Sequence, residues 1–400
     1  MPGHPIGLGD VKRTAGRIQR RRRVAAGAVV AAAAAIVVPT VMVAGNLLGG
    51  DAAPQPANPG PSVTETPEPA PVDGPIVLDA DVPQGADPRL AYLAGRELID
   101  SAGNRIRLDA DYNMIARAGD EYLAVRQGDL GVFVDVLDAE GAVIETSRTT
   151  GEVVSSADLT VAAWAHPDGR ILTRSQGKTA ALDSVDRPLH VAEVIGSGTC
   201  QEGTDGSGCL VYSNEEGTAP PVSTSSHGIT DVFAGGFQTV RAVSPERLVA
   251  GLVTEPNPDP AAPACSAVYD LKAGKQLFRT CDYVFEYAGS GFSPDASNIV
   301  AYPQDADGAG PRSIVVLDAR SGEAVTEIEV AGANTPRAAG SIVDTTWEDG
   351  GHLLVKVEGM NADGIPAYTM FRVGVDDGTA ERVLQPDTTG GEVQPWVFID

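Results

Sequence analysis

The 400 residues carry 54 acidic and 29 basic side chains, a formal net charge of −25. The first 23 residues hold seven of the basic ones against Asp10 alone, so the remainder has 22 basic and 53 acidic residues and a net charge of −31. A surface of that sign stays soluble and repels phosphate backbones and anionic headgroups, which speaks against nucleic acid as a partner of the larger part.

In chain order, segment 1–23 ends in Arg20, Arg21, Arg22 and Arg23 and reads as a short basic cytoplasmic tail. It runs directly into Val24 to Leu48, 25 residues without a charge. At about 1.5 Å rise per residue such a run crosses a hydrocarbon core of roughly 30 Å with room for tilt. Residues 24–48 are therefore expected to form one transmembrane helix, N-terminus inside, with everything after Leu48 extracytoplasmic. Pro39 lies within the run and is tolerated there as a kink. The small residues Val43, Ala44 and Gly45 raise the alternative of a cleaved secretory signal, whose apolar region is usually only ~7–15 residues long.

Residues 49–75 contain Pro54, Pro56, Pro59, Pro61, Pro67, Pro69, Pro71 and Pro75. Proline-rich chain extends at up to ~3.1 Å per residue, so this segment is expected to be a disordered stalk that holds a domain away from the bilayer.

From Ile76 to Asp400, short β-branched runs alternate with Gly- and Asp-rich turns about every 8–12 residues, the pattern of an all-β domain. Val132 to Leu137, Ala267 to Leu271, Ile314 to Leu317 and Met370 to Val375 each enter a turn of one kind. Those turns are Asp138-Ala139-Glu140-Gly141, Asp270-Leu271-Lys272-Ala273-Gly274, Asp318-Ala319-Arg320-Ser321-Gly322 and Asp376-Asp377-Gly378. A second recurring piece precedes most of these hairpins: Val243-Ser244-Pro245-Glu246, Phe292-Ser293-Pro294-Asp295 and Trp347-Glu348-Asp349-Gly350, each followed by an apolar strand. Trp164-Ala165-His166-Pro167-Asp168-Gly169 has the same form. Two hairpins per unit make four strands, and the 49 residues from Ser244 to Ser293 and 48 from Asp270 to Asp318 lie close to the ~40–50-residue period of propeller blades.

Phe292 to Asp295 with Ile299-Val300-Ala301-Tyr302, then Ile314 to Asp318 and Gly322, resembles a blade of the TolB-like and WD-repeat-like β-propellers. The likeness covers residues 285–330 best, 239–280 and 340–385 fairly, and 80–125 and 175–235 poorly. It implies an all-β propeller of about seven four-stranded blades, with six to eight allowed at ~45 residues per blade. Trp164, Phe292 and Trp347 would then be wedges between blades. Trp396-Val397-Phe398-Ile399, or a segment near Leu90 to Leu108, would complete the blade that closes the ring.

The four cysteines allow three pairings; the local pairs Cys200 with Cys209 and Cys265 with Cys281 are expected, as disulfides of an oxidising compartment. No nucleophile elbow, phosphate loop, H-E-x-x-H or dinucleotide fingerprint occurs, so no catalytic or cofactor-binding residue is assigned. In Ser225-Ser226-His227-Gly228 the adjacent side chains of a strand would point to opposite faces, which removes them as a nucleophile and base. His166 and His190 read as ordinary turn and strand residues. Asp305-Ala306-Asp307-Gly308 alternates oxygens before a glycine as a calcium loop does, and Asp109-Ala110-Asp111 does so more faintly, but both lack the distal bidentate Glu. Asp305 and Asp307 are thus weak calcium candidates.

A membrane-tethered propeller that binds a protein or a cell-wall polymer is the reading these features favour, although fold by itself is only an association. Two alternatives stand beside it. The tail, single span and outer domain resemble the layout of actinobacterial transmembrane anti-sigma-like regulators, and the alanine-rich anchor suits such a source, but a 23-residue tail is short for their sigma-binding domain. A propeller hydrolase or lyase would need carboxylates or histidines converging on the central channel.

Overall fold

The expected short strands form, and they pair into seven sheets, six of them antiparallel throughout. The computed structural model describes residues 74–185, 187–196, 200, 208–215, 220–225, 228–231, 236–253, 264–285, 291–304, 311–331, 340–360, 366–387 and 396–399. The expected tail, span and nearly all of the stalk lie outside these. Every named element among the described residues is a strand.

The chain begins with β1 (Ile76–Leu78) and enters blade I as β2 (Tyr92–Ala94), β3 (Glu97–Ile99) and β4 (Arg105–Arg107). Blade II is β5 (Met114–Ala118), β6 (Glu121–Gly128), β7 (Gly131–Leu137) and β8 (Val143–Arg148); blade III is β9 (Val153–Ser155), β10 (Val161–Ala165), β11 (Arg170–Ser175) and β12 (Lys178–Ser184). Blade IV is β13 (Leu189–Ile195), β14 (Leu210–Glu215), β15 (Val222–Ser225) and β16 (Gly228–Asp231); blade V is β17 (Phe237–Val243), β18 (Leu248–Val253), β19 (Cys265–Asp270) and β20 (Lys275–Thr280). Blade VI is β21 (Tyr283–Val284), β22 (Asn298–Pro303), β23 (Ser313–Asp318) and β24 (Ala324–Val330); blade VII is β25 (Ser341–Trp347), β26 (His352–Met360), β27 (Pro366–Gly374) and β28 (Ala380–Asp387). The last strand, β29 (Trp396–Phe398), returns to pair with β2 as the innermost strand of blade I. The result is a seven-bladed β-propeller, and segments 80–125 and 175–235, where the repeat is faint in the sequence, build blade strands like the rest.

Alternation of side chains explains why the blades form a ring. All five residues of β10 are buried. Ala162 and Trp164 pack toward blade II, while Val161, Ala163 and Ala165 pack toward blade IV. In β22, Ile299 and Ala301 join the V/VI core, and Val300 and Tyr302 the VI/VII core. A strand with both faces apolar needs a neighbour on each side. Seven hydrophobic clusters result, one at each junction between blades, including the VII/I cluster of Tyr92, Leu354, Met370, Val383, Trp396 and Phe398. Trp164 is fully buried, Trp347 is 8% exposed with its indole N–H donated to the Gly291 carbonyl at 3.0 Å, and Phe292 is half-buried.

First-to-second and third-to-fourth turns share one face of the ring, here the turn face; second-to-third connections and links to the next blade share the other, the loop face. The expected Asp-to-Gly hairpins are all third-to-fourth turns. Asp138 Oδ1 accepts from the N–H groups of Glu140 and Ala142, and Asp318 Oδ1 from those of Arg320 and Ser321. Gly322 closes its turn at φ 75°, and a Cβ there would stand 2.5 Å from the Phe278 ring.

One unit of the sequence pattern sits elsewhere than expected. Trp164 to Leu172 spans the second-to-third turn of blade III, not the first-to-second turn that Ser244 and Ser293 occupy in blades V and VI. The blade III counterpart is Ser156-Ala157-Asp158-Leu159, which lacks the proline.

Two elements hold the ring shut. Inside, β29 is tied to blade VII by Lys356, almost fully buried, whose Nζ donates to the Trp396 carbonyl at 2.9 Å and pairs with Asp344 at 3.2 Å. Outside, residues 76–90 form a strap. β1 adds a parallel fifth strand to the outer edge of blade VI, burying Ile76 and Leu78. The strap then hydrogen-bonds Arg382 of β28 through Pro83 and Gly85. Arg372 donates to the carbonyls of Ala86 and Asp87 and, at 2.5 and 2.9 Å, to Glu348, which also receives the Arg89 backbone N–H at 2.6 Å.

Replacing Trp164 by Ala should destabilise the domain by about 3–5 kcal/mol through the cavity left between blades II and III, and Phe292→Ala by less; equal losses in denaturant titrations would contradict the packing described. Burial opposes ionisation of Glu348, but the hydrogen bonds from Arg372 and Arg89 outweigh it, so its pKa lies below 4.5. A lowered folded-state pKa gives stability that is complete above the unfolded value and lost as pH falls through the folded one. Thermal midpoints should therefore drop more steeply below about pH 4.5 in the wild-type protein than in Glu348→Gln, and parallel pH curves would remove Glu348 from that role.

Candidate functional site

Three first-to-second turns on the turn face are built alike. Ser156, Ser244 and Ser293 are each 1% exposed, and their Oγ atoms accept the backbone N–H of Val161, Leu248 and Asn298 at 3.1, 3.0 and 3.0 Å. Two of the hydroxyls donate in turn, Ser156 to Asp158 at 2.7 Å and Ser293 to Asp295 at 2.6 Å. The fourth residue of each turn, Leu159, Arg247 or Ala296, takes a left-handed φ of 58°, 67° or 58°. Non-glycine residues hold that conformation at a cost of roughly 1–2 kcal/mol, which the hydrogen-bonded serine offsets.

Between two of these turns lies the inner edge of blade IV. Its first strand carries a bulge, since the pairing of β13 with β14 skips from Val191 to Glu193. The turns of blades III and V and the ends of β13 and β14 enclose a cleft of about 390 Å³, lined by Ala157 and Asp158, by Glu193 to Gly196, by Gly208 and Leu210, and by Val243, Pro245 and Arg247. This size is at the lower end of the ~300–1,000 Å³ of ligand clefts. The walls are chiefly apolar, with two carboxylates and one guanidinium at the margins. Burial raises the Asp158 pKa, but hydrogen bonds from the Ser156 and Thr160 hydroxyls and the Thr160 N–H outweigh it and hold the carboxylate ionised. Tyr212, buried between blades IV and V, is pushed up to about 12 by desolvation, with nearby Arg247 pulling the other way. The Asn214 amide locks blade V against blade IV by exchanging two 2.8 Å hydrogen bonds with the Val240 backbone.

The cysteines pair as expected. Cys200–Cys209 closes the connection between β13 and β14 at the edge of this cleft, and Cys265–Cys281 joins the loop-face ends of β19 and β20. On the loop face, His190 Nδ1 meets both oxygens of Glu152 at 2.9 and 3.0 Å, and His166 pairs with Asp168 at 2.6 Å; each histidine thus has its own carboxylate. Asp111 forms a two-pronged 2.7 Å contact with Arg96. No group of three or more His, Cys, Asp and Glu among the described residues is arranged to hold a metal ion. Asp305 and Asp307, like Ser226 and His227, lie outside the described residues.

Sequence reasoning missed Asp158, Glu193 and Arg247. A signal was present in the Ser-x-acid pattern at Ser244 and Ser293, which Ser156-Ala157-Asp158 repeats without its proline.

No protein-family model matches the chain, and no curated protein matches it in sequence. Among solved structures it is similar to the β-propeller domain of Cps50 (Swd1) from Myceliophteria thermophila, at 9% identity and a TM-score of 0.46, over 78% of this chain and 92% of that one. The blades and the cleft are therefore interpreted from their own geometry.

Reduction of the two disulfides should lower stability, by about 2–3 kcal/mol for each loop on the chain-entropy estimate, while far-UV circular dichroism keeps its β signature. Identical melting with and without reductant would show that neither bridge constrains the ring.

Proposed function

We propose that this chain is a membrane-anchored, extracytoplasmic binding module whose propeller presents a site for a protein or cell-wall ligand. The observation that carries the binding reading is the cleft between blades III, IV and V, a preformed concavity walled by three blades and margined by opposite charges. Two buried polar clusters elsewhere among the described residues are engaged in building the ring: Arg174 bridges Glu121 and Glu145 from blade III to blade II, and Arg126 and Tyr112 converge on buried Asp135. Support for the location comes from the uncharged run 24–48 behind four arginines and from the two disulfides.

The test uses the full chain with a C-terminal tag. Protease added to intact cells should remove the tag, and a protected tag would refute the outward orientation. Purified from gently solubilised membranes, with calcium and again with chelator, the chain should retain one protein or polymer at near-stoichiometric yield. Recovery of the bare chain under both conditions would count against a stable binding partner.

A further inference from the structure

The cleft carries chemistry that narrows its ligand, and the narrowing rests on the binding reading above. Its volume of about 390 Å³ admits a few residues of extended chain rather than the face of a folded partner. The inner strand β13, which supplies Glu193 to Ile195, pairs with β14 alone among the described strands, so its channel-side edge has none of them beside it. Such an edge offers backbone donors and acceptors of the kind an extended peptide satisfies.

The charges are equally specific. Two other arginines of the turn face are paired: Arg89 with Glu348 and Asp349, Arg320 with Glu246. Because Glu246 is taken by Arg320 of the neighbouring blade, the adjacent Arg247 makes no ion pair among the described residues, although its left-handed φ of 67° sets it at the cleft margin. On the opposite wall Asp158 is fixed by three hydrogen bonds to Oδ1, none of them from a charged donor. A guanidinium without a counter-ion among the described residues and a rigid carboxylate thus flank an apolar floor.

We propose that this cleft binds a short extended peptide, seating an apolar side chain against Val194, Leu210 and Val243, an acidic group on Arg247 and a basic group on Asp158.

The experiment measures anisotropy of dye-labelled acetyl-lysyl-leucyl-glutamate amide and its glutamine counterpart with the full chain in detergent. The glutamate probe should bind about tenfold more tightly, in keeping with a charge-assisted hydrogen bond at a partly solvated margin. Arg247→Gln should erase that preference and Arg247→Lys restore part of it, both at an unchanged melting temperature. Asp158→Asn, which keeps the Oδ1 acceptor of the turn, should weaken both probes alike. Equal binding of the two probes by the wild-type protein, or a preference that survives Arg247→Gln, overturns the proposal. A membrane partner retained at full yield by Arg247→Gln also overturns it, while leaving the binding-module reading intact.

Discussion

Second strands such as β10 and β22 bury both of their faces, and no sheet of four short strands can do that alone. Val161 to Ala165 show the constraint in five residues: alternate side chains belong to two different cores, one shared with the blade before and one with the blade after. Each core is therefore half-built until a neighbour arrives, and the last can be completed only if the ring closes. That requirement accounts for the features that look elaborate in isolation. The return of the last strand to the first blade, the buried lysine that holds it and the outer strap all act at the junctions of blades VI, VII and I, where an open ring would leave apolar faces in water.

The parts of the fold legible in the sequence are those governed by local rules. A strand entering Asp, then one to three residues, then Gly is a hairpin because the carboxylate caps the turn's N–H groups and glycine accepts the left-handed φ, and every hairpin expected on that basis forms. The cysteine pairs were legible because short loops leave few geometries. Blade IV was faint because polar residues, Ser213, Ser223 and Thr224, stand at buried positions of its second and third strands. The tryptophan unit of blade III was placed one hairpin too early because an apolar strand ending in a Pro-Asp-Gly turn reads alike on either face of the ring. Only the pairing of Ala162 to Trp164 with Val153 to Ser155 fixes which turn it is.

The cleft was illegible for a different reason. Its walls come from residues near 158, 193 and 247, which are remote in sequence and meet because three consecutive blades each present a first-to-second turn to the same face. No local pattern announces such a site. What the sequence carries is the device that positions it, a buried serine holding a tight turn, used three times and put to a different end where the left-handed residue is an arginine.

The pairing of β29 with β2 also has a consequence in time. About three hundred residues separate Tyr92 from its partner Phe398, so the contact that finishes blade I has to wait for strands made long after β2 to β4. Until then, β2 to β4 stand with an open inner edge, and Leu93 and Leu98 lack part of their cover. Blade I takes its inner strand from beyond blade VII, so it cannot be finished on its own. The pairing of Tyr92 to Ala94 with Trp396 to Phe398 is thus the event that joins the last blade to the first and commits the whole ring.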